Sequence, residues 1–507
     1  MSENKKNVNF VHMTTTEFKN LILQSASFVP TDDQKYAIDE FTHLLACREQ
    51  AAMILRGSAG TGKTSIVSVM VRTLLGLRQK VILLAPTGRA AKVLSQHCGW
   101  PASTIHRKIY RQKSIGDDFN LDVNLHTDTL FVVDEASMIS TMPQIASEGM
   151  PSFGTGNSSV IDDLITYVYS GRNCSMMLVG DTAQLPPVGE EEAPALREYI
   201  LECYGLKVFH CDLNEVVRQE EESGILWNAT MVRRLITHDE VTQLPRLRFQ
   251  GFADIRMLQG NELIETLEES YHNVGLDDTV VITRSNKRAN IYNNGIRTRI
   301  LDHEGELCSG DRIMIVKNHY FDNKNKPKAD AEEEDQLSYI ANGDMAIVRR
   351  ARNIREFYGF RFADLTLQFP DYNNEELLLT AVLDTLQSEA PAMTAEQRQM
   401  LFDNVMEDYM NLPHKSDRLK AVKEDIYYNA LQIKYAYAIT CHKAQGGQWS
   451  HVYVDQGYMT DDMLTPDYIH WLYTAMTRAT EVLYLVNWPK EQVASGISSA
   501  NRQDVIA

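Results

Sequence analysis

One eight-residue segment carries the clearest chemical signature in the chain. It reads Gly57-Ser58-Ala59-Gly60-Thr61-Gly62-Lys63-Thr64 and fits the pattern G-x-x-x-x-G-K-[ST] without a mismatch. Its glycines let the backbone curl so that N–H groups face phosphate oxygens, while Lys63 is expected to reach the outer phosphates and Thr64 to hold Mg²⁺. An apolar strand precedes the segment and a helix follows it, which favours a site for ATP and Mg²⁺ over a chance glycine-rich turn.

Further polar groups follow two other apolar runs. Asp134 and Glu135 end the run 131–133, and Gln184 lies in the segment 180–189 that follows another apolar run. Asp134 is expected to complete the Mg²⁺ shell, and Glu135 to polarise the attacking water as a general base. Gln184 could hydrogen-bond the γ-phosphate or that water. Taken alone, a carboxylate pair at a strand end is often only solvated, and Gln184 could equally belong to a proline-stiffened loop.

These groups need a framework that brings strand ends together. Compact apolar runs without polar alternation are typical of strands buried on both faces of a parallel sheet, whose carboxyl ends carry the ligands. A first set of runs lies at 52–55, 81–85, 130–133 and 176–179. A second set, which indicates a second α/β lobe, lies at 208–209, 280–282, 435–439, 452–454 and 482–485. Within the second set, residues 310–430 have short and alternating strands, which indicates a β-rich insertion.

Length and composition exclude several classes of protein. The 507 residues, 44% of them hydrophobic, suggest roughly three or four soluble domains. The net charge of −18 argues against a protein that coats nucleic acid by bulk electrostatics, but not against positive charge confined to a groove. Seven scattered cysteines without a CxxC pair argue against a zinc site or an iron–sulfur cluster. Without an apolar signal core or a membrane-length apolar run, the sequence predicts a cytoplasmic protein with no membrane partner.

Segments along most of the chain resemble, in order, the motifs of superfamily 1B DNA helicases of the RecD-like and Dda-like branch. Residues 30–35 resemble the adenine-reading glutamine motif and precede the glycine-rich segment. Later segments resemble motif Ia, the next DNA-contacting motif and motifs II, III, IV, V and VI, at 84–91, 103–107, 134–138, 180–189, 213–219, 438–446 and 472–479. Because the matches keep the order of the family, they are jointly specific.

The resemblance implies an α/β fold: two RecA-like P-loop lobes, with a short β-hairpin insertion in lobe 1 and an SH3-like β insertion in lobe 2. The boundaries that it predicts are a lead-in at 1–27, lobe 1 at 28–200 with the hairpin at 107–128, lobe 2 at 201–309 and 431–507, and the SH3-like insertion at 310–430.

The resemblance also assigns roles to single residues. The residues expected to act in catalysis are Lys63, Glu135, Gln184, Arg218 and Arg478. Gln34 is expected to read adenine beside the loop 57–64, and Thr64 and Asp134 to hold the metal. Arg218 and Arg478 would act as arginine fingers from the second lobe, because a planar guanidinium stabilises the charge spread over the γ-phosphoryl oxygens. Considered alone, each arginine would be assigned to a surface salt bridge.

A track for single-stranded DNA is implied as well. Hydroxyl, amide and imidazole groups along it would contact phosphates without reading sequence. The residues expected there are Pro86, Thr87, His106, Asn318, Thr440 and His442. Any one of them could equally be a satisfied loop residue. The run 446–449, Gly-Gly-Gln-Trp, departs from the usual Gly-Ser-Glu-Phe type, so the resemblance does not specify the contacts there.

The segment between residues 107 and 128 suggests a strand-separating pin. Its turn signal, Gly116-Asp117-Asp118, lies between short stretches of mixed polarity and predicts an exposed β-hairpin. The resembling helicases insert a pin at this place. Phe119 is the first candidate for its tip and Ile115 the second, because an aromatic ring can stack on the last base pair. The alternative is that Phe119 packs back on the first lobe.

Together these patterns predict an ATP-dependent DNA helicase that moves 5′→3′ on single-stranded DNA and unwinds duplexes. The direction follows from the resemblance alone. The expected partners are single-stranded DNA, the fork between single- and double-stranded DNA, and single-strand-binding or DNA-repair proteins. Two alternatives remain: a translocase that unwinds poorly, and a non-catalytic DNA-binding subunit of a larger repair complex. The complete set of ATP-site residues argues against the second.

Overall fold

The computed structural model describes residues 13–111, 120–143, 158–215, 223–237, 244–320, 339–460 and 463–494. The chain forms two compact units. Unit 1 comprises Met1–Thr182, Pro186–Val217 and Gly305–Ala436, and unit 2 comprises Ala183–Leu185, Arg218–Glu304 and Tyr437–Ala507.

Helices and strands alternate through much of both units. The helices are α1 (Thr15–Ser25), α2 (Asp32–Ala46), α3 (Lys63–Gly76), α4 (Gly88–Cys98), α5 (Ile105–Ile109), α6 (Val160–Ser170), α7 (Glu198–Cys203), α8 (Gly224–Thr237), α9 (Leu263–Asn273), α10 (Asn286–Arg299), α11 (Ala395–Asp408), α12 (Lys415–Glu424), α13 (Cys441–Ala444) and α14 (Pro466–Met476). The strands are β1 (Ala51–Gly57), β2 (Lys80–Ala85), β3 (Ala102–Thr104), β4 (Tyr110–Arg111), β5 (Asn120–Leu121), β6 (Thr129–Val133), β7 (Ser175–Gly180), β8 (Lys207–Leu213), β9 (Ile255–Leu258), β10 (Thr279–Thr283), β11 (Arg312–Ile315), β12 (His319–Tyr320), β13 (Tyr339–Ile340), β14 (Met345–Phe357), β15 (Phe360–Phe369), β16 (Glu375–Val382), β17 (Leu431–Tyr435), β18 (Ala438–Thr440), β19 (Trp449–Asp455) and β20 (Ala479–Val486).

Unit 1 is built on a six-stranded parallel sheet in the order β3-β2-β6-β7-β1-β8. Successive side chains of β1 belong to different cores: Met53 and Leu55 pack in one apolar cluster, Ala52 and Ile54 in another. Because strand side chains alternate between faces, this sheet is buried on both sides. The predicted α/β fold is confirmed in this unit.

One strand lies in a different sheet from the one predicted. The run at 208–209 was expected to open the second lobe, but β8 pairs in parallel with β1, with Cys211 opposite Leu55. The predicted end of lobe 1 at residue 200 is therefore wrong, since β8, which ends at Leu213, belongs to the sheet of unit 1. The composition of a short apolar run indicates that the strand is buried, but it does not indicate which strand lies beside it. This explains the error.

The structure contains the base of the predicted hairpin, formed by β4 and β5. Tyr110 pairs with Leu121 and Arg111 with Asn120, both antiparallel, and β4 follows directly on α5. The turn at 116–118, Ile115 and Phe119 lie outside the described residues, so the assignment of a pin tip stays a prediction.

The insertion contains a closed five-stranded barrel formed by β11, β14, β15, β16 and β17. Its pairings are antiparallel except for the parallel pair of β16 and β17. Helices α11 and α12 share a small apolar core with β15, around Phe362, Leu401 and Val422. The name SH3-like for this barrel stays a prediction. The barrel belongs to unit 1, although in sequence it interrupts the sheet of unit 2.

Unit 2 contains a five-stranded parallel sheet in the order β18-β10-β19-β20-β9. Val281 of β10 lies opposite Ala438 and Tyr453. The run 435–439 was predicted as one strand of this sheet, and this is wrong. Tyr435 ends β17 in the barrel, whereas β18 begins at Ala438 in the sheet.

Among the residues that the structure describes, no helix is both long enough and apolar enough to cross a lipid bilayer.

Candidate functional site

The loop between β1 and α3 has the form that phosphate binding requires. Gly60 and Gly62 have positive φ angles of 82° and 77°, which other residues rarely adopt. Gly57 is needed for space, because a Cβ there would lie 2.8 Å from Oγ1 of Thr61 and 3.0 Å from Cγ of Lys63. The loop therefore forms a cradle at the N-terminus of α3, where backbone N–H groups and the helix dipole favour an anion.

Lys63 lies over this loop. Its Nζ donates hydrogen bonds to the carbonyl oxygens of Gly57 and Ser58, the latter at 3.1 Å. The same Nζ is 3.8 Å from Oδ2 of the buried Asp181. Asp181 was not among the predicted site residues, although its signal was present in the sequence: a carboxylate directly after the buried strand β7.

Asp134 and Glu135 follow β6, the neighbour of β7. The Asp134 N–H donates to the Leu84 carbonyl at 2.9 Å, and the Glu135 N–H donates to Oδ1 of Asp134 at 2.9 Å. Desolvation raises the pKa of Asp134 and the negative charge of Glu135 raises it further, while Lys63 opposes the shift. Glu135 has a left-handed backbone with φ of 51°, a strained conformation that is often found at functional sites.

Gln34 connects helix α2 to the phosphate-binding loop. Its Oε1 accepts the Thr31 N–H at 3.2 Å, which completes a capping box at the start of α2. Its Nε2 donates to the Thr61 carbonyl at 2.9 Å. Gln34 is buried and therefore fixed against the loop, while its role in reading adenine stays a prediction.

These residues of unit 1 fit Mg-ATP. The cradle would be filled by a Cβ at Gly57, and Lys63 supplies a cation beside it. Thr64, the second residue of α3, and Asp134 offer the hard oxygen ligands that Mg²⁺ prefers. The order β6-β7-β1 brings the three strand ends side by side.

Gln184 belongs to unit 2 and is buried. Neighbouring Leu185 is held there, since its N–H donates to Oγ1 of Thr474 at 2.8 Å and its carbonyl accepts from Nε2 of Gln445 at 2.6 Å. Within the described part of the chain, Oε1 of Gln184 has no hydrogen-bond partner. Buried side-chain oxygens without a partner are rare, so this amide is suited to bind a ligand or a water molecule.

Arg478 is also in unit 2 and is only 3% exposed. It donates hydrogen bonds from Nε to the Thr474 carbonyl at 3.1 Å, from Nη1 to the Gly447 carbonyl at 3.3 Å and from Nη2 to Oγ1 of Thr477 at 3.2 Å. The alternative of a surface salt bridge is therefore wrong for Arg478. The other predicted arginine finger, Arg218, lies outside the described residues.

Three of the predicted DNA-contacting residues follow parallel strands of the unit 1 sheet, at the edge where the phosphate-binding loop follows β1. Pro86 and Thr87 follow β2 and His106 follows β3, and these strands are neighbours, with Ala85 opposite Thr104. Desolvation lowers the pKa of His106 to about 4, so the ring is neutral near pH 7. It would therefore contact single-stranded DNA by hydrogen bonding rather than by charge.

The remaining predicted contacts are divided between the units. Asn318 of unit 1 precedes β12, and its Oδ1 accepts the Asn342 N–H at 2.7 Å. Thr440 and His442 of unit 2 lie at the start of α13, where Thr440 is the N-terminal capping position. Desolvation lowers the pKa of His442.

Comparison with known proteins gives matches in both units. The AAA domain family matches residues 31–146, and the family described as UvrD-like helicase C-terminal domain matches residues 435–486. The chain is 25% identical over 345 residues to the ATP-dependent DNA helicase dda of Enterobacteria phage T4, which covers 64% of this chain and 70% of that protein. It is 31% identical over 137 residues to the ATP-dependent RecD2 DNA helicase of Deinococcus radiodurans, which covers 27% of this chain and 16% of that protein. Among solved structures, Pif1 helicase from Bacteroides in complex with ADP-AlF3 and ssDNA aligns with a TM-score of 0.44 and 14% identity, covering 93% of this chain and 95% of that one.

Proposed function

We infer that the chain, which belongs to the superfamily 1B helicases, is an ATP-dependent DNA helicase that hydrolyses Mg-ATP and moves along single-stranded DNA. The observation that carries this proposal is the row of adjacent strand ends in unit 1. The phosphate-binding loop follows β1, Asp181 follows β7, and Asp134 with Glu135 follows β6. This arrangement supports phosphoryl transfer from a nucleoside triphosphate to water.

Each residue of the row has a distinct role. Lys63 and the N–H groups of the loop bind the phosphates, and Thr64 and Asp134 hold the metal. When bound there, Mg²⁺ neutralises charge on the phosphate oxygens. Glu135 orients the attacking water and accepts its proton. Asp181, whose Oδ2 is 3.8 Å from Nζ of Lys63, holds the lysine side chain beside the loop.

Residues of unit 2 complete the proposed set. Gln184 offers its unpartnered amide oxygen to the attacking water, and Arg478 supplies a guanidinium to the γ-phosphoryl group. Regulation of the rate of hydrolysis by bound DNA is part of the proposal and follows from the family. Movement in the 5′→3′ direction is part of the proposal and follows from the family.

A strand-displacement assay tests this function. Duplexes with a 5′ tail, a 3′ tail or blunt ends are mixed with the protein and Mg-ATP, and Glu135→Gln serves as the matched control. We expect unwinding of the 5′-tailed duplex alone, and none by the variant. Unwinding of only the 3′-tailed duplex would refute the direction.

A second readout separates the remaining alternative from the proposal. A poorly unwinding translocase would displace streptavidin from biotinylated single-stranded DNA while leaving every duplex intact. If ATP hydrolysis is the same with and without DNA, the proposed coupling to movement is wrong.

A further inference from the structure

Asp344 is a buried carboxyl group of the barrel that does not serve the ATP site. It lies in the turn between β13 and β14 and is 1% exposed. Its Oδ2 accepts hydrogen bonds from the Tyr372 hydroxyl at 2.7 Å and from the Ala341 N–H at 2.7 Å. These two contacts fix the carboxyl group in one orientation.

The other oxygen of Asp344, Oδ1, faces helix α4, which follows strand β2 of the six-stranded sheet of unit 1. A Cβ added to Gly88, the first residue of α4, would lie 2.5 Å from Oδ1 of Asp344 and 2.8 Å from the Tyr372 hydroxyl. Gly88 is not among the glycines with a positive φ angle, so its backbone conformation does not require glycine. Glycine is required at this position because the barrel comes so close.

A second contact lies one helical turn further along α4. Nζ of Lys92 donates to Oδ1 of Asp371 at 2.9 Å and to the Pro370 carbonyl at 3.2 Å. Residues 88 and 92 are four apart and therefore lie on the same face of the helix. The barrel side of unit 1 thus holds α4 at two points, Gly88 in its first turn and Lys92 one turn later.

This first turn fixes the segment that precedes it. Thr87 is the N-terminal cap of α4, and its Oγ1 accepts the Ala90 N–H at 3.2 Å. A shift of the helix start would therefore move Thr87 and Pro86 with it. Groups that bind a ligand have to be held to about half an ångström, so a small shift is enough to weaken binding.

We propose that Asp344 is a positioning residue for DNA binding, which acts through Gly88 to hold Pro86 and Thr87 against the single strand. The inference rests on the proposed function, because it takes single-stranded DNA as the ligand of Pro86 and Thr87. It gives the turn between β13 and β14 a specific role, since Asp344 acts on Pro86 and Thr87 by setting the start of α4.

The test compares Asp344→Ala, Gly88→Ala and the double variant with the wild-type protein. The measurement is ATP hydrolysis as a function of single-stranded DNA concentration and, separately, of ATP concentration. We expect each single variant to raise the half-saturating DNA concentration roughly tenfold, with kcat at saturating DNA and the KM for ATP within about twofold of wild type. Asp364→Ala is the control, because the partners of this barrel carboxylate, Asn353, Arg355 and Thr380, all lie on barrel strands.

The double variant distinguishes positioning from general damage. Removing the carboxyl group makes room for the added Cβ, so Gly88→Ala should cost less in the Asp344→Ala background than in the wild type. Full additivity of the two changes, or an equal rise in the KM for ATP, would overturn the inference. If Asp344→Ala does not fold, Tyr372→Phe takes its place in the test. This variant removes a single hydroxyl group and must likewise raise the half-saturating DNA concentration.

The outcome also separates this inference from the function on which it rests. A wild-type protein whose ATP hydrolysis ignores DNA refutes the proposed function. A wild-type protein that DNA stimulates, together with folded variants that respond to DNA as it does, refutes only the role of Asp344.

Discussion

Asp344→Asn should change how the stability of the protein depends on pH. Burial raises the pKa of Asp344 from 3.8 to about 7, and the negative charge of Asp371 adds to the rise. The hydrogen bonds from the Tyr372 hydroxyl and from the backbone of Ala341 and Gly88 oppose it. Lys92 of α4 is paired with Asp371, at 2.9 Å between Nζ and Oδ1. Asparagine keeps the shape of the side chain and an acceptor for both hydrogen bonds, but it cannot ionise.

The sign of the effect follows from which state holds the proton. Between about pH 4 and pH 7 the folded protein keeps a proton on Asp344 that the unfolded chain has already lost. Raising the pH through this range therefore lowers the free energy of unfolding by about 1.4 kcal/mol for each pH unit. Between about pH 5 and pH 8 the free energy of unfolding of the wild-type protein should fall by about 3 kcal/mol through this group. Nearly all of the fall occurs below about pH 7, since above that pH Asp344 is ionised in the folded protein as well.

The assay is guanidinium unfolding of both proteins at several pH values between about 5 and 8. Other titrating groups cancel in the difference between wild type and variant, so the free energy of unfolding of Asp344→Asn should gain about 3 kcal/mol relative to wild type over this range. A difference that does not change with pH would show that Asp344 is ionised in the folded protein at all these values. This flat result is what is expected if the start of α4 stabilises the ionised form and keeps the pKa of Asp344 at or below its ordinary value.

Three further outcomes are expected. Glu135→Gln should lower ATP hydrolysis roughly a hundredfold or more while ATP still binds, as measured by turnover and by equilibrium binding of a fluorescent nucleotide; turnover near that of wild type would remove Glu135 as the base. Arg478→Lys keeps the positive charge but not the planar donors, so kcat should fall roughly a hundredfold or more with little change in the KM for ATP, and an unchanged kcat would exclude an arginine finger at this position. Phe119→Ala should slow duplex unwinding and leave DNA-stimulated ATP hydrolysis and movement on single strands intact; parallel loss of all three would instead place Phe119 in the core of lobe 1.

The nucleotide site could be predicted from the sequence because its signals are local. The loop 57–64 and the pair Asp134-Glu135 each follow a short apolar run, and a parallel sheet brings such strand ends to one edge. The pairing of Lys63 with Asp181 was missed, since the sequence does not say that β7 lies beside β1. Strand order is decided by packing over the whole sheet and not by composition.

The errors in the fold have the same origin. The run 435–439 is apolar throughout, yet its first residue ends a barrel strand and its last residues form a sheet strand. Hydrophobicity reports that a residue is buried but not in which core. The contact of Gly88 with Asp344 could not be predicted for a related reason: a glycine at the start of a helix has several explanations, and only the structure shows which atoms approach it.

In sequence, the barrel interrupts the sheet of unit 2, and this order has a consequence for synthesis on the ribosome. Strand β10 lies between β18 and β19, and both of these follow the barrel in the chain. At the usual rate of about 5–20 residues per second, β10 leaves the ribosome on the order of ten seconds before its first partner. During that time an apolar strand with two open edges has no sheet to join, and the barrel also stays open, because its last strand β17 emerges only just before β18. A chain whose synthesis stops between these strands therefore has β10 without either of its sheet partners, and an unpaired apolar strand of this kind promotes aggregation.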